Sequence, residues 1–266
     1  VTGVQTCALP ICPHQADGRR GTRLAELRGQ APLLPRQTGA GGEAEVHLVS
    51  GAAGPIGGDR LRVDVEVGPG ASLCVRTVAA SLALPGRTGA RSRLVVTARI
   101  GAGGRLRWLP EPLIGAAGCN HLSLSIVELD EGAALLWREE LVCGRHGERV
   151  GDVEIGTTIR HVGRTLLRST VSVGERAPGW AGPAVLGGGR AVASVVLVDP
   201  AWAETGPPPA RVLGPTAAVM PLAGGPAVLA SATGADLVEV RTALDAVVSG
   251  EWRVPATGGS GSRPAH

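Results

Sequence analysis

The sequence predicts an all-β protein, wound as a β-helix-like or solenoid-like wrap of stacked strand hairpins, with one or two helices toward the C-terminus. Three observations predict it: apolar–polar alternation in many short segments, turn residues at regular intervals, and a glycine turn that recurs at intervals of about 30 residues. Of the 266 residues, 44% are apolar and only 18% are charged, a composition too apolar for a disordered chain. We expect a single β domain over residues 23–254.

The alternation is clearest in RLRVDVEV, which ends at Val67, where leucine and valine alternate with arginine, aspartate and glutamate. This pattern is typical of a strand with one buried face. Gly68-Pro69-Gly70 then turns the chain, and Ala71–Val78 returns as a second strand. Further predicted strands are Arg93–Ile100, Arg105–Leu109, His121–Leu129, Ala134–Val142, Val153–His161, Thr165–Val173 and Ala191–Val198.

A short turn pattern repeats along the predicted strands. Each copy has an apolar residue, two turn residues, a glycine, a small residue, a spacer and a leucine; the copies are Val67–Leu73, Ile100–Leu106 and Leu129–Leu135. Their glycines, Gly70, Gly103 and Gly132, are 33 and 29 residues apart. A glycine supplies the positive φ that such a corner needs. The repeat favours stacked coils, with an ordinary β-sandwich as the open alternative.

The two ends of the chain differ from this pattern. Near the C-terminus, helical spacing of aliphatic residues predicts a helix over Asp236–Val248, capped by Asp236 or Thr233 and ended by Gly250. We interpret residues 1–22 as an extraneous or disordered leader, because residues 1–12 resemble a translated adapter or vector sequence. The glycine- and serine-rich residues 255–266 are predicted to form a flexible tail.

Composition excludes several classes of function. Lysine is absent, which excludes a P-loop lysine and a Schiff-base lysine, and the absence of Phe and Tyr excludes the usual base-stacking RNA sheets. A net charge of +3 from scattered arginines does not indicate a nucleic-acid partner, and no apolar stretch is long enough for a membrane span. Five cysteines without CxxC spacing favour a reducing cytoplasm over a secreted disulfide framework.

Two short motifs offer metal ligands. Asp59, in the glycine-rich loop before RLRVDVEV, could be an oxygen ligand, although its position favours a turn residue that accepts backbone hydrogen bonds. Cys119 and His121 would share one face of a strand, and a thiolate with an imidazole suits nickel or zinc. Two ligands do not make a site, however, and such residues more often pack in a core.

The acidic residues form a third candidate group, made up of Glu111, Glu128, Asp130, Glu139 and Glu140. In stacked coils they could line one channel or face; the alternative is a solvated strand edge balanced by arginines. No GxSxG elbow is present, and no serine or cysteine has an identifiable base partner. We therefore predict a protein that is not an enzyme.

Several motifs in fixed order resemble the urease accessory protein family UreD, also called UreH. They are RLAELRGQAPLLPRQT (23–38), the GGDRL-containing segment 47–86, the WLPEP-containing segment 105–121 and the segment 135–151 with ELVCGRHGE. The resemblance covers roughly residues 23–250 and becomes looser in the C-terminal third. It implies a β-helix-like fold with a pair of helices, in agreement with the repeat.

The resemblance also implies a function. Members of this family are non-enzymatic scaffolds that bind apo-urease and recruit an F-type accessory protein and a G-type GTPase, and together they deliver Ni(II) to urease. It implies an internal path for nickel in transit, with no tightly bound cofactor. Asp59, Glu111 and either Glu139 or Glu140 match acidic residues of the family pattern. Cys119 and His121 do not belong to that pattern.

The tryptophans and one rival class complete the expectations. Trp108 and Trp137 follow the leucine of the repeat on a strand, which predicts core packing, whereas interface contacts would rest on Trp180, Trp202 and the arginines. A β-solenoid carbohydrate-binding or surface interaction protein would share the coils. Such a protein should display aromatic platforms, yet Tyr and Phe are absent.

Overall fold

The computed structural model describes residues 4–16, 19–39 and 43–251, and within them two β-sheets account for most of the chain. The first sheet contains β1 (Val4–Ala16), β2 (Arg19–Leu24), β5 (Arg60–Val67), β8 (Ser92–Ile100), β11 (Asn120–Leu129), β13 (Asp152–His161) and β14 (Arg164–Val173). Its strand order is β14-β13-β11-β8-β5-β1-β2.

The second sheet contains β3 (Leu33–Gly39), β4 (Ala44–Ser50), β6 (Ser72–Thr77), β9 (Arg105–Leu109), β12 (Ala134–Val142), β15 (Ala191–Val198), β16 (Arg211–Gly214), β17 (Ala217–Pro221) and β18 (Ala227–Gly234). Its order is β16-β17-β18-β15-β12-β9-β6-β4-β3. Two short strands, β7 (Ser81–Ala83) and β10 (Leu113–Gly115), pair with each other, and β10 also pairs with β12. The helices are α1 (Trp202–Thr205) and α2 (Leu237–Glu251).

The middle of the chain winds between the two sheets as stacked coils. Strands β5, β8, β11 and β13 are parallel neighbours in the first sheet, and β6, β9 and β12 are parallel neighbours in the second. The register aligns Val67 with Ile100 and Ile100 with Leu129, which are the first residues of the three repeats. The predicted all-β, solenoid-like fold is therefore confirmed.

The glycine corners stack in the same way. Gly70, Gly103 and Gly132 have φ of 68°, 65° and 68°. The Gly70 N–H donates to Ala102 O at 2.9 Å, so one corner lies directly on the next. One detail differs from the expectation: each corner joins strands of opposite sheets and is an arch, not a hairpin. The reason is distance, because facing sheets lie about 10 Å apart, too far for strand pairing.

The remaining expectations concern the strands, the C-terminal helix and the two ends of the chain. The predicted strands are present, and α2 begins after Asp236, whose Oδ1 accepts the Glu239 N–H at 2.9 Å. The helix continues to Glu251, slightly beyond the predicted end. Strand β1 runs parallel to β5, but the extraneous origin of residues 1–12 stays a prediction. The predicted tail, 255–266, lies outside the described residues.

Apolar residues fill the space between the sheets in two clusters. The larger contains Val65, Ile100 and the tryptophans Trp108 and Trp137, whose rings stack with centroids 5.0 Å apart, which confirms their predicted core role. The smaller contains Leu141 with neighbours from both sheets. A third apolar cluster lies between α2 and the second sheet. Within the described residues, neither helix has the length and apolar character required to cross a membrane.

Candidate functional site: a polar band between the sheets

Polar side chains separate the two apolar clusters between the sheets. Along β12, the inward-facing residues run from Trp137 in the larger cluster through Glu139 to Leu141 in the smaller one. On the first sheet, polar residues lie opposite Glu139 and at the next two inward positions along β11. We call these residues the polar band, which consists of Ser92, His121, Ser123, Ser125, Glu139 and Thr157.

A cavity of about 100 Å³ opens along the polar band. Both sheets contribute to its wall, which includes Trp108, Glu111, His121, Ser125, Glu139 and Glu140. This volume can hold a few water molecules, and the polar atoms in the wall provide partners for them. Three of the four predicted acidic ligands thus lie along one cavity.

Glu139 is the carboxylate that links the two sheets across the band. Its Oε1 accepts a hydrogen bond from Ser125 Oγ at 3.0 Å, and its Oε2 accepts one from Thr157 Oγ1 at 2.6 Å. Both donors belong to the first sheet, whereas Glu139 belongs to the second. No ion pair with a cationic side chain of the described residues neutralises Glu139. Its negative charge is therefore available to a cation in the cavity.

Glu140 and Glu111 have a cationic partner from α2. Arg241 donates from Nε and Nη2 to the two Glu140 oxygens at 2.9 and 2.6 Å, and from Nη2 to Glu111 Oε2 at 3.0 Å. The Glu140 side chain is only 1% exposed, and hydrogen bonding to it, with Glu111, raises the pKa of Arg241. A second guanidinium, that of Arg138, lies 3.5 Å from Glu140 Oε1. These two carboxylates are already neutralised in this conformation.

His121 is a buried imidazole with one free nitrogen. Its Nδ1 lies 2.9 Å from Ser92 Oγ, whereas Nε2 is buried and has no hydrogen-bond partner among the described residues. Burial, and secondarily Arg91, lowers the pKa of His121 to about 4, so the ring is neutral at pH 7. A neutral imidazole oriented through one nitrogen can offer the other to a metal ion or a water molecule.

Cys119 does not share this environment with His121. Its Sγ points to Asp152 O at 3.8 Å and packs in the smaller apolar cluster. Burial, reinforced by Asp152 and Glu148, raises the pKa of the thiol to about 11, so the sulfur is protonated at pH 7. His121 lines the cavity and Cys119 does not, and ligation of a metal ion by the two together stays a prediction.

Asp59 has the geometry of a turn residue. Its Oδ2 accepts the Ile56 N–H at 2.9 Å, and its carbonyl oxygen accepts the Arg93 N–H at 2.8 Å. Gly54 and Pro55 of the same loop line the cavity, but Asp59 does not. Asp59 shapes the loop at the cavity wall, and its contact with nickel stays a prediction.

The described part of the chain holds no group of three or more His, Cys, Asp or Glu side chains arranged to bind a metal ion. Sequence reasoning missed Ser125, Thr157 and Arg241. The serines had a signal: Ser123 and Ser125 interrupt the aliphatic positions of β11 on its inward face. Arg241 had none, because it lies 101 residues from Glu140 in sequence.

Comparison with known proteins identifies the family to which this chain is similar. Residues 9–265 match the family model described as UreD urease accessory protein. A urease accessory protein UreD of Streptomyces avermitilis is 45% identical over 237 residues, covering 88% of this chain and 93% of the relative. Urease accessory protein UreD 3 of Streptomyces griseus is 46% identical over 236 residues, covering 87% and 91%. The UreD of Streptomyces coelicolor is 45% identical over 237 residues, covering 88% and 92%.

Proposed function

Because the chain belongs to the UreD urease accessory protein family, we propose that it is a non-enzymatic scaffold for urease maturation, binding apo-urease together with an F-type accessory protein and a G-type GTPase. The family match over most of the chain supports this role and argues against the carbohydrate-binding alternative. We place the protein in the cytoplasm, where the buried thiols of Cys74, Cys119 and Cys143 would stay reduced.

We further propose that Ni(II), as cargo, passes through the polar band. The observation that carries this proposal is Glu139, a carboxylate on the cavity wall that is held by two hydroxyl groups and lacks a neutralising cation among the described residues. One carboxylate, hydroxyl groups and water are oxygen ligands that bind nickel more weakly than a closed Cys/His cage. Weak binding suits a protein that must release the ion.

Arg241 limits which carboxylates can take part. Glu111 and Glu140 can accept a cation only after the Arg241 guanidinium withdraws, because two like charges would otherwise compete for the same oxygens. Glu139 needs no such rearrangement. It is therefore the residue on which the proposed path depends most.

Co-purification tests the scaffold role. The tagged chain is co-expressed with apo-urease subunits and the F-type accessory protein, and we expect all of them to elute together in size-exclusion chromatography. Failure to recover urease with the F-type protein present would contradict the proposal.

A cavity-filling variant tests the path separately. Ser123→Leu places an apolar side chain in the cavity and keeps every carboxylate, so we expect a severalfold lower nickel content in urease matured in cells. Thr170→Leu, at an exposed position on β14, is the matched control. Unchanged nickel in both variants, with the complex intact, would reject a path through this cavity.

A further inference from the structure

The outer face of the first sheet carries an aliphatic strip that points away from the core. It consists of Val95 on β8 and Leu122, Leu124 and Ile126 on β11. Ile126 is 39% exposed, and the register places Val95 directly beside Leu124. The face of a sheet that meets solvent normally carries polar residues. Adjacent aliphatic residues on this face therefore indicate a contact surface.

Four arginines surround one end of this strip. Arg60, Arg62, Arg91 and Arg93 line a groove of about 470 Å³ together with Leu61, Val95 and Leu122. Arg60 and Arg93 are register partners on the adjacent parallel strands β5 and β8. Like charges on neighbouring strands repel each other, so this arrangement is unfavourable unless an anion lies between or above them.

Only half of this positive charge is compensated within the described residues. Arg62 pairs with Asp64 at 2.7 Å, and Arg91 pairs with Glu154 at 2.8 Å. Arg60 and Arg93 are exposed and form no ion pair with any described residue. The groove thus presents, beside an aliphatic surface, two guanidinium groups that no described carboxylate compensates.

We propose that this groove docks an extended acidic segment of a partner protein, whose carboxylates pair with Arg60 and Arg93 and whose aliphatic side chains cover the strip. Guanidinium groups bind carboxylates through paired hydrogen bonds. In an extended segment, residues i and i+2 point to the same side and lie about 7 Å apart, which is also the spacing of Leu122, Leu124 and Ile126 on β11. A segment with acidic residues followed by aliphatic residues at alternate positions can therefore reach the arginines and then the strip. This inference does not depend on the proposed role in urease maturation.

Other occupants fit less well. A nucleic acid would gain nothing from the aliphatic strip, because its affinity comes mainly from phosphate contacts with cationic side chains. The C-terminal residues 252–266 contain Arg253 and Arg263 and no acidic residue, so their charge does not complement the groove.

Fluorescence anisotropy tests the proposal on the full-length chain. The probe is a fluorescein-labelled ten-residue peptide with Glu at its first two odd positions, Leu at the other odd positions and Ser between them, measured against its Gln-for-Glu counterpart and a single-stranded oligonucleotide. We expect the acidic peptide to bind best, and Arg60→Glu/Arg93→Glu to weaken its binding at least tenfold. The charge-matched control Arg99→Glu/Arg168→Glu, at exposed positions elsewhere on the sheet, should change it less than twofold.

A second variant tests the apolar contribution without changing charge. Leu124→Ser should weaken peptide binding severalfold, and thermal melts would verify that every variant is folded. The proposal is overturned if the wild-type chain fails to bind the peptide, if both charge variants lose binding equally, or if the oligonucleotide binds more tightly. A dimer in sedimentation that the Arg60→Glu/Arg93→Glu variant dissolves would overturn it too, because the occupant would then be a second copy.

Discussion

Between the two sheets, the larger apolar cluster, called here the apolar half, lies next to the polar band, called here the polar half, and one strand contributes to both. On β12, Trp137 stacks on Trp108 in the dry half, whereas Glu139, two residues further along and facing the same way, binds hydroxyl groups in the polar band. The apolar half holds the coils together. The polar half weakens the core locally and leaves a cavity, which indicates that its residues serve function more than stability.

The buried acid is tolerable because its surroundings satisfy it. An unpartnered carboxylate between the sheets would cost several kcal/mol, roughly, in desolvation. Ser125 and Thr157 donate to both oxygens of Glu139, and the adjacent cavity can admit water. Substitutions in the apolar half should therefore change the free energy of unfolding, whereas removal of the Glu139 charge should change cation transfer.

The largest expected effect on stability lies in the apolar half. Trp137→Ala removes a fully buried ring and its stacking contact with Trp108, so we expect a loss of about 3–5 kcal/mol in the free energy of unfolding, measured by urea denaturation. Trp180→Ala, at a half-buried position beside the smaller cluster, should cost less. Equal losses would show that the stack is not the main support of the coils.

The next effect is a pH dependence that belongs to the polar band. Since the pKa of His121 falls from 6.5 to about 4 on folding, the unfolded chain binds more protons between these pH values. The contribution of the neutral His121 to the free energy of unfolding is complete above pH 6.5 and is lost as the pH falls through 4. In this range the free energy of unfolding changes by up to about 1.4 kcal/mol per pH unit. His121→Gln should flatten this part of the stability profile, measured by urea denaturation from pH 4 to 7. An unchanged slope would contradict the burial of a neutral imidazole.

A smaller effect is expected where α2 closes over the second sheet. Arg241→Ala leaves the Glu140 carboxylate buried without its bidentate partner, and because the Arg241 side chain is 28% exposed we expect a loss of about 2 kcal/mol. Arg241→Ala/Glu140→Gln should recover most of it, because the uncompensated charge is gone. Failure of the second substitution to restore stability would indicate that Arg241 acts through packing alone.

The apolar half was readable from the sequence because its signals are local. Alternation in RLRVDVEV and the positive φ of Gly70, Gly103 and Gly132 depend on neighbouring residues only. The 33-residue step of the repeat also separates Arg60 from Arg93, so the repeat alone could have predicted that these two residues are neighbours.

The polar band was readable only in part. The acids Glu111, Glu139 and Glu140 were identified as a group, but which of them Arg241 neutralises depends on how α2 packs more than 100 residues later in the chain. The spacing of Cys119 and His121 placed them near each other, but it did not show that only His121 lines the cavity. The hydrogen bonds from Ser125 and Thr157 to Glu139 depend on how the coils align between the two sheets. The residue pattern of a single strand carries no information about that alignment.

The charge of Glu139 is the feature on which the proposed nickel path depends, and Glu139→Gln removes it while an amide of the same shape stays in place. The decisive measurement is the nickel content of urease purified from cells that carry this variant, beside Glu131→Gln at an exposed corner as control. We predict a severalfold loss of nickel for Glu139→Gln, with the accessory complex still assembled and the control unchanged. Urease that is fully loaded with nickel in the Glu139→Gln cells would contradict the account.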